Sequence, residues 1–346
     1  MEVNSLQKTY SSFQGWGMQY SMGEIPSYIY QFFKNGIESG SRYYSLGHSE
    51  TRSIASFFNA TYSYDGRYTL NGTFRYEGTN RMGRSRSSRW LPTWNLSGAW
   101  NVHEESFFKA LQPTLSNLTL KASYSLTADR GPAEVTNSQA IIRSFSPFTD
   151  IQETGLYIDD IENSELTYEK KHELNIGIDL GLLENRINFS ADWYQRNNYD
   201  LIGVVPTQGV GGVINKYANV ATMKSHGVEF TLSTRNIRTK DFSWNTDFIF
   251  SYAKNEVTRL KGLTSMMELV SGNGFAREGY PVRGLFSIPF AGLDEDGIPQ
   301  YLIDGKVTST SINFQERENL SFLKYSGSGD PTDLGSFGNI FQWKGL

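Results

Sequence analysis

The side chains able to do chemistry are scattered along this chain. Its 346 residues include 4 His (His48, His103, His172 and His226), far apart and without ligand spacing, and no Cys. Thiolate nucleophiles, thiolate zinc sites and disulfides are thereby excluded, and no resident metal or other cofactor is expected. Asp294-Glu295-Asp296-Gly297 invites a calcium reading. An EF-hand loop needs further acidic positions and a terminal Glu, so a polar turn between two strands fits better. Gly209-Val210-Gly211-Gly212 lacks the Lys-Ser/Thr of a phosphate loop and reads as a loop tip. No local pattern supports a nucleophilic triad or paired catalytic carboxylates, and the chain is not expected to be an enzyme. What remains is recognition chemistry. The run Arg81, Arg84, Arg86, Arg89, followed by Trp90, suits an anion or a partner, or is a solvated loop. Tyr157, Tyr199 and Tyr217 fall in predicted loops, where an aromatic face packs on apolar C–H surfaces.

The elements that must position these residues are strands. Residues 68–77 place Tyr68, Leu70, Gly72, Phe74 and Tyr76 on one face and Thr69, Asn71, Thr73, Arg75 and Glu77 on the other. The same period of two runs through 54–64, 93–102, 118–127, 168–181, 187–196, 224–234 and 242–252. Successive strand side chains point to opposite faces, so each segment has one apolar and one polar wall. Weaker strand candidates fall near Leu285–Leu293, Gly297–Ile303 and Gly335–Trp343, and Phe107–Leu111 suggests one short helical turn. Short links (Asp65–Arg67, Leu182–Arg186, Arg235–Asp241) alternate with long ones (Gly78–Pro92, Ala128–Thr167, Tyr199–Met223, Asn255–Arg283). The link His103–Asn117 occupies a short-link position yet is longer.

Composition agrees with that pattern. Apolar residues make up 38% of the chain and aromatics 14%, through 20 Tyr, 22 Phe and 7 Trp. Such a chain is too lean in aliphatic stripes for a helical bundle, and it holds no run of about 18 apolar residues for a membrane helix. With 32 basic against 36 acidic side chains, bulk nucleic-acid binding has no electrostatic basis. The N-terminus has no secretory signal pattern.

Alternation by itself leaves a soluble sandwich open. Three features favour a transmembrane barrel. The strands run about 10–14 residues, against roughly 5–6 for an average soluble strand. Aromatics gather toward strand ends, at Tyr62, Tyr64, Tyr68, Trp100, Trp193 and Tyr252, where interfacial girdles belong. The polar face carries Arg75, Glu77, Lys121, Asp192, Glu229 and Asp247, which a wide barrel turns toward a wet lumen.

The segments 75–108, 118–129, 165–202, 218–233, 242–260, 279–301 and 333–345 also resemble, in order, the SusC/RagA-like branch of the TonB-dependent outer-membrane transporters. Thr127-Ala128-Asp129 and Met223-Lys224-Ser225-His226-Gly227 depart mildly from the family pattern. The resemblance implies an all-β fold, an antiparallel transmembrane meander forming an incomplete arc of a barrel of about 22 strands. Residues 1–346 then read as one partial barrel domain, with 1–53 carrying the least of the pattern. The family's N-terminal plug, TonB box and closing C-terminal strands are expected to lie outside the chain. An arc with two open edges is not expected to insert alone as a stable barrel. Further implications are residence in the bacterial outer membrane and active import of an oligosaccharide or peptide. A SusD-like surface lipoprotein and TonB, acting through the missing N-terminal region, are the implied partners. Trp90, Tyr157, Tyr199 and Tyr217 become candidate substrate contacts. A passive or adhesive barrel and a secreted carbohydrate-binding sandwich are the alternatives.

Overall fold

A computed structural model describes residues 2–10, 31, 34–35, 48–112, 114–131, 140–145, 155–209, 215–272, 274–309 and 312–344. In chain order the strands begin with β1 (Glu2–Tyr10), β2 (His48–Tyr64), β3 (Tyr68–Thr79), β4 (Trp90–Asn101) and β5 (Leu115–Asp129). A short hairpin of β6 (Ile141–Phe145) and β7 (Gly155–Asp160) comes next, then β8 (Glu169–Leu182), β9 (Ile187–Pro206), β10 (Asn215–Arg238) and β11 (Phe242–Leu260). The short strands β12 (Gly284–Ser287), β13 (Phe290–Leu293), β14 (Pro299–Ile303), β15 (Lys306–Thr308) and β16 (Lys324–Ser328) precede β17 (Asp333–Trp343). Two four-residue helices, α1 (Arg86–Arg89) and α2 (Met266–Leu269), sit in connections. No described helix is long and apolar enough to cross a membrane.

Ten strands form one antiparallel sheet in the order β1-β2-β3-β4-β5-β8-β9-β10-β11-β17. It is a meander whose first and last strands each have one neighbour, so the described arc does not close. All eight alternating segments lie in it, together with the Gly335–Trp343 candidate.

Register turns the alternation of each strand into continuous walls. Leu70, Gly98, Ala122, Ile176, Trp193, Val228 and Tyr252 face one another across seven strands. One residue along, Thr69, Ala99, Lys121, Gly177, Asp192, Glu229 and Ser251 form a row on the opposite face. A slip of one residue in any strand would swap its faces, so the two walls hold only if every register agrees. On the apolar wall Leu70 is 53% exposed and Ile176 50%, a surface suited to lipid rather than water.

At one end the connections are tight. Asp65 and Gly66 take φ of 52° and 69°, the positive-φ pair of a two-residue hairpin turn. The longer link after β4 is built on two 3-10 turns, Val102–Glu104 and Ser106–Ala110. Between them Glu105 accepts hydrogen bonds from Tyr68 Oη (2.6 Å), Trp100 Nε1 (3.2 Å) and Arg67 Nη1 (3.4 Å). The Tyr68 hydroxyl, then Trp100 and Arg67, hold its carboxyl below the usual range despite burial. That knot accounts for the extra length of this link.

At the other end the structure departs from the sequence expectation in two ways. The predicted Tyr199–Met223 loop is mostly strand, because β9 continues to Pro206 and β10 begins at Asn215. Backbone pairing needs no apolar stripe once the strands leave the bilayer, so the pattern fades while the ladder goes on. Bulges at Asn219/Ala221 and Ala221/Met223 mark that transition. Leu285–Leu293 and Gly297–Ile303 do not join the main sheet. They form β12 to β14 inside a lobe of residues 261–332 with its own core of Met266, Leu269, Phe286, Leu320 and Leu323.

Candidate functional site

The polar wall is sorted by charge along the strands. Near the tight-turn end it is acidic, with Asp179, Asp192, Glu229 and Asp247 against Lys121. Lys121 Nζ lies 3.0 Å from Asp179 Oδ2 and 3.9 Å from Asp192 Oδ1. Ser190 and Ser233 donate to Asp179 and Asp247 at 2.7 and 2.6 Å. Gly177 stands between, and a Cβ there would overlap the Asp192 carboxylate, so only glycine lets the Lys121–Asp192 contact cross.

Six residues farther along β5, about 20 Å at strand rise, the wall carries paired charges of both signs. Arg196 reaches Glu173 at 3.0 Å and lies 3.9 Å over the Tyr194 ring, while Lys171 pairs with the same Glu173 at 2.8 Å. Arg75 and Arg130 share Glu77, at 2.7 and 3.5 Å. With Arg81 these groups line an open recess of about 540 Å³ that also includes Thr93, Thr127 and Asp129. Burial, followed by the charge of Arg130, lowers the Arg81 pKa.

A small apolar knot backs this recess. Met82, Leu91 and Tyr168 are buried together, Tyr168 Oη donates to the Arg89 carbonyl at 3.2 Å, and Gly83 N donates to Leu166 O at 2.8 Å. A Cβ at Gly83 would overlap the Ser164 carbonyl, which fixes glycine where the two connections cross. Burial, with the Glu77 charge behind it, pushes the Tyr168 phenol up to about 12, so it stays a neutral donor. The Arg run therefore splits. Arg84 is exposed and pairs with Glu162 at 3.6 Å, Arg86 is exposed, and Arg81 and Arg89 are half-buried.

The four predicted aromatics do not converge. Trp90 opens β4 on the apolar side, stacked on Tyr76 with ring centroids 5.3 Å apart. Tyr199 is a strand residue, not a loop residue. It stacks on His172 at 5.6 Å, His172 stacks on Tyr124 at 5.7 Å, and Tyr124 meets Trp94 edge-on at 5.4 Å. This aromatic row crosses the apolar face at its upper rim, and Lys170, paired with Asp200 at 2.7 Å, closes it over Tyr199. Tyr157 lies in the β6–β7 hairpin opposite Arg143, 41% exposed. Tyr217 is half-buried in β10, and its carbonyl accepts from Asn163 Nδ2 at 3.0 Å. The charged recess is not legible in the sequence because Arg75 and Glu77 lie on β3 while Arg130 follows β5, with β4 between them. The strand registers alone hinted at it.

The other predicted motifs have plain structural roles. Asp294 Oδ1 accepts from Asp296 N (3.1 Å) and Ile298 N (2.8 Å), which makes the acidic run the turn between β13 and β14. His103 Nδ1 lies 3.0 Å from the Leu118 carbonyl. Gly209 has φ of 75°, while Val210, Gly211 and Gly212 lie outside the described residues.

Residues 3–330 match the family model described as TonB dependent receptor-like, beta-barrel. The TonB-dependent receptor P39 of Formosa agariphila is 29% identical over 285 residues, covering 81% of this chain and 26% of that protein. The TonB-dependent receptor SusC of Bacteroides thetaiotaomicron is 28% identical over 255 residues, covering 67% and 25%. The RagAB peptide importer in its open-open state superposes with a TM-score of 0.73 at 25% identity, over 88% of this chain and 32% of that one. The outer membrane transporter YddB from Escherichia coli shares the fold at a TM-score of 0.51 and 14% identity. The chain spans about a quarter of the length of these two receptors.

Proposed function

The chain belongs to the TonB-dependent receptor-like β-barrel family, and from that premise we propose that it is a wall segment of an outer-membrane active importer. The observation that carries the reading is the pair of register-locked walls, one apolar and one charged, which in a closed barrel face lipid and a wet lumen. Short periplasmic turns and long extracellular connections are the habit of such barrels, so the recess of Arg75, Arg81 and Arg130 opens at the outer mouth.

In this reading the arc contributes bilayer anchoring, lumen lining and part of the mouth. Energy coupling comes from a plug and TonB, to which the described residues contribute nothing. Likeness to SusC and RagAB supports a SusD-like lipoprotein lid over the mouth and an oligosaccharide or peptide as cargo. Tyr157 and Tyr217, on the extracellular extensions, keep the role of candidate substrate contacts. Trp90 and Tyr199 serve instead as interfacial anchors, since aromatic rings with one polar edge settle at the headgroup level.

The test is uptake by cells carrying the receptor in which this segment resides, together with its lipoprotein partner. Labelled oligosaccharide or peptide should accumulate, and a protonophore should abolish the accumulation. Uptake that equilibrates and ignores the protonophore would establish a passive barrel instead.

A further inference from the structure

The tight-turn end of the arc carries two different charge patterns. Around the β2–β3 turn and the link after β4, the cations are Arg67 and Lys109 and the carboxylates Asp65, Glu104 and Glu105. Arg67 is neutralised there, 2.6 Å from Asp65 and 3.4 Å from Glu105. Around the β8–β9 and β10–β11 turns and the end of β17 stand five exposed cations, Arg186, Arg235, Arg238, Lys240 and Lys344, against two exposed carboxylates, Glu184 and Asp241. Among the described residues none of these seven side chains enters an ion pair. Arg186 is held by carbonyls instead, those of Arg235 at 3.3 Å and Asn236 at 3.0 Å. These orient the guanidinium and leave its charge uncancelled. The next carboxylate on the wall, Asp247, lies about 17 Å up β11 at strand rise and is engaged by Ser233.

Arg238, Lys240 and Lys344 line an open recess of about 580 Å³, and Asp241 is the one carboxylate in its lining. The turn that shapes it is fixed. Thr239 N donates to the Phe242 carbonyl at 2.7 Å, Phe242 N donates to Thr239 Oγ1 at 3.0 Å, and Lys344 N donates to the Asp241 carbonyl at 2.8 Å. The recess wraps the rim, since Ser243 and Gln342 in its lining belong to the polar wall and Phe242 to the apolar one.

A second observation concerns the surface beside it. On the outer face Phe341 stacks on Trp244 at 5.6 Å and on Phe242 at 6.5 Å, and Trp343 is 61% exposed. Lys344 Nζ lies 5.6 Å from the Trp343 ring, which brings its ammonium to the lipid side of the rim. Cations set just beyond an aromatic girdle lie at the depth of lipid phosphates, and guanidinium and ammonium donors suit phosphate oxygens. An acidic protein segment would use the cations and leave Phe341 and Trp343 bare. A lipid uses both.

We infer that the rim recess of Arg238, Lys240 and Lys344 binds the phosphate headgroup of an anionic phospholipid, whose acyl chains run along Phe341 and Trp343. The leaflet involved, the periplasmic one, rests on the importer reading, which puts the tight turns on that side. The sector of β10, β11 and β17 is then tied to specific lipid, while the sector of β2 to β5 at the same depth is not.

The experiment uses the full receptor bearing this segment, purified in detergent and titrated with phosphatidylglycerol or phosphatidylcholine. Retained lipid is counted by native mass spectrometry, and inorganic phosphate and an oligoglutamate serve as competitors. Phosphatidylglycerol should bind at least about tenfold more tightly than phosphatidylcholine, as expected for charge-assisted contacts, and salt should weaken that preference. The preference should vanish in the triple variant Arg238→Gln/Lys240→Gln/Lys344→Gln and persist in Arg238→Lys, which keeps the charge. Lys109→Gln, at the same end but in the other sector, should leave it unchanged. Trp343→Ala should weaken retention of phosphatidylglycerol. Heat-modifiable migration of each variant certifies a folded barrel. Equal binding of the two lipids, or an undiminished preference in the triple variant, overturns the proposal. Displacement of the lipid by an equal concentration of inorganic phosphate replaces it with a simple anion site, and displacement by oligoglutamate replaces it with a docking face for an acidic protein. Protonophore-sensitive uptake by cells carrying the receptor would leave the importer reading standing in each of those cases.

Discussion

The arc and the lobe of residues 261–332 are built for different solvents. In the lobe, Leu269 is 0% exposed and Met266 2%, shielded by Phe286, Leu320 and Leu323, which is an ordinary core closed against water. The arc has few such residues. Phe58, Tyr62, Leu70 and Leu96 are all more than half exposed, and its buried residues gather where connections fold back over its ends. A soluble sheet with that surface would aggregate. In a bilayer the same surface costs nothing, because lipid supplies the partner that a second protein layer supplies in the lobe. The difference shows that burial within the chain measures only one of the two solvents this fold answers to.

Three substitutions test that contrast, from the largest effect to the smallest. Leu269→Ala should cost the lobe roughly 2–5 kcal/mol, the range for a buried leucine. In the full receptor bearing this segment, limited proteolysis should then cut within 261–332 while the barrel still migrates as a folded, heat-modifiable species. Loss of the barrel along with the lobe would mean the two regions fold as one. Within the arc, Phe230→Arg on the apolar face should destabilise by about 2–4 kcal/mol in membranes. Its neighbour Thr231→Arg, on the polar face, should be nearly silent. Urea titration in lipid vesicles reads both, and equal effects would erase the distinction between the walls.

The smallest effect concerns pH. Glu316 Oε1 accepts from the backbone N–H groups of Glu318 (2.9 Å), Asn319 (3.3 Å) and Arg317 (3.0 Å), which hold its carboxyl below the ordinary value. Its contribution to the lobe is complete above the unfolded carboxylate value, about 4.3. It is lost as pH falls through the lower folded value. Hydrogen exchange of residues near α2, whose Met266 N donates to the Glu316 carbonyl at 2.8 Å, should quicken in that acid range. The same amides should respond less to pH in Glu316→Gln. The tight-turn end of the arc, where Glu105 is held by Tyr68, Trp100 and Arg67, provides a second carboxylate of the same kind for comparison.

Much of the arc was legible in the sequence because a barrel strand writes its environment in period two. Leu118, Leu120 and Ala122 against Thr119, Lys121 and Ser123 give the faces of β5 without any partner. The lobe was not legible. Its strands of 3 to 5 residues are too short to display a period, and its core joins Met266 to Leu323 across a long stretch of chain. The upper parts of β9 and β10 lose the alternation once they rise above the lipid, so they read as loop. Tyr199 reads as loop for that reason, and Trp90 because it opens β4 at the edge of a long link; strand parity puts both on the outer face.

By itself the sequence determined that these strands are amphipathic, antiparallel and long enough to cross a bilayer, since alternation is a local property that each strand carries alone. Which residues meet across the sheet was decided only in three dimensions. Arg75 and Arg130 come to share Glu77 because two registers agree, β3 on β4 and β4 on β5, and Gly83 is required because two distant connections cross at Ser164. Each such contact is set by pairing between strands remote in sequence, which no single segment encodes.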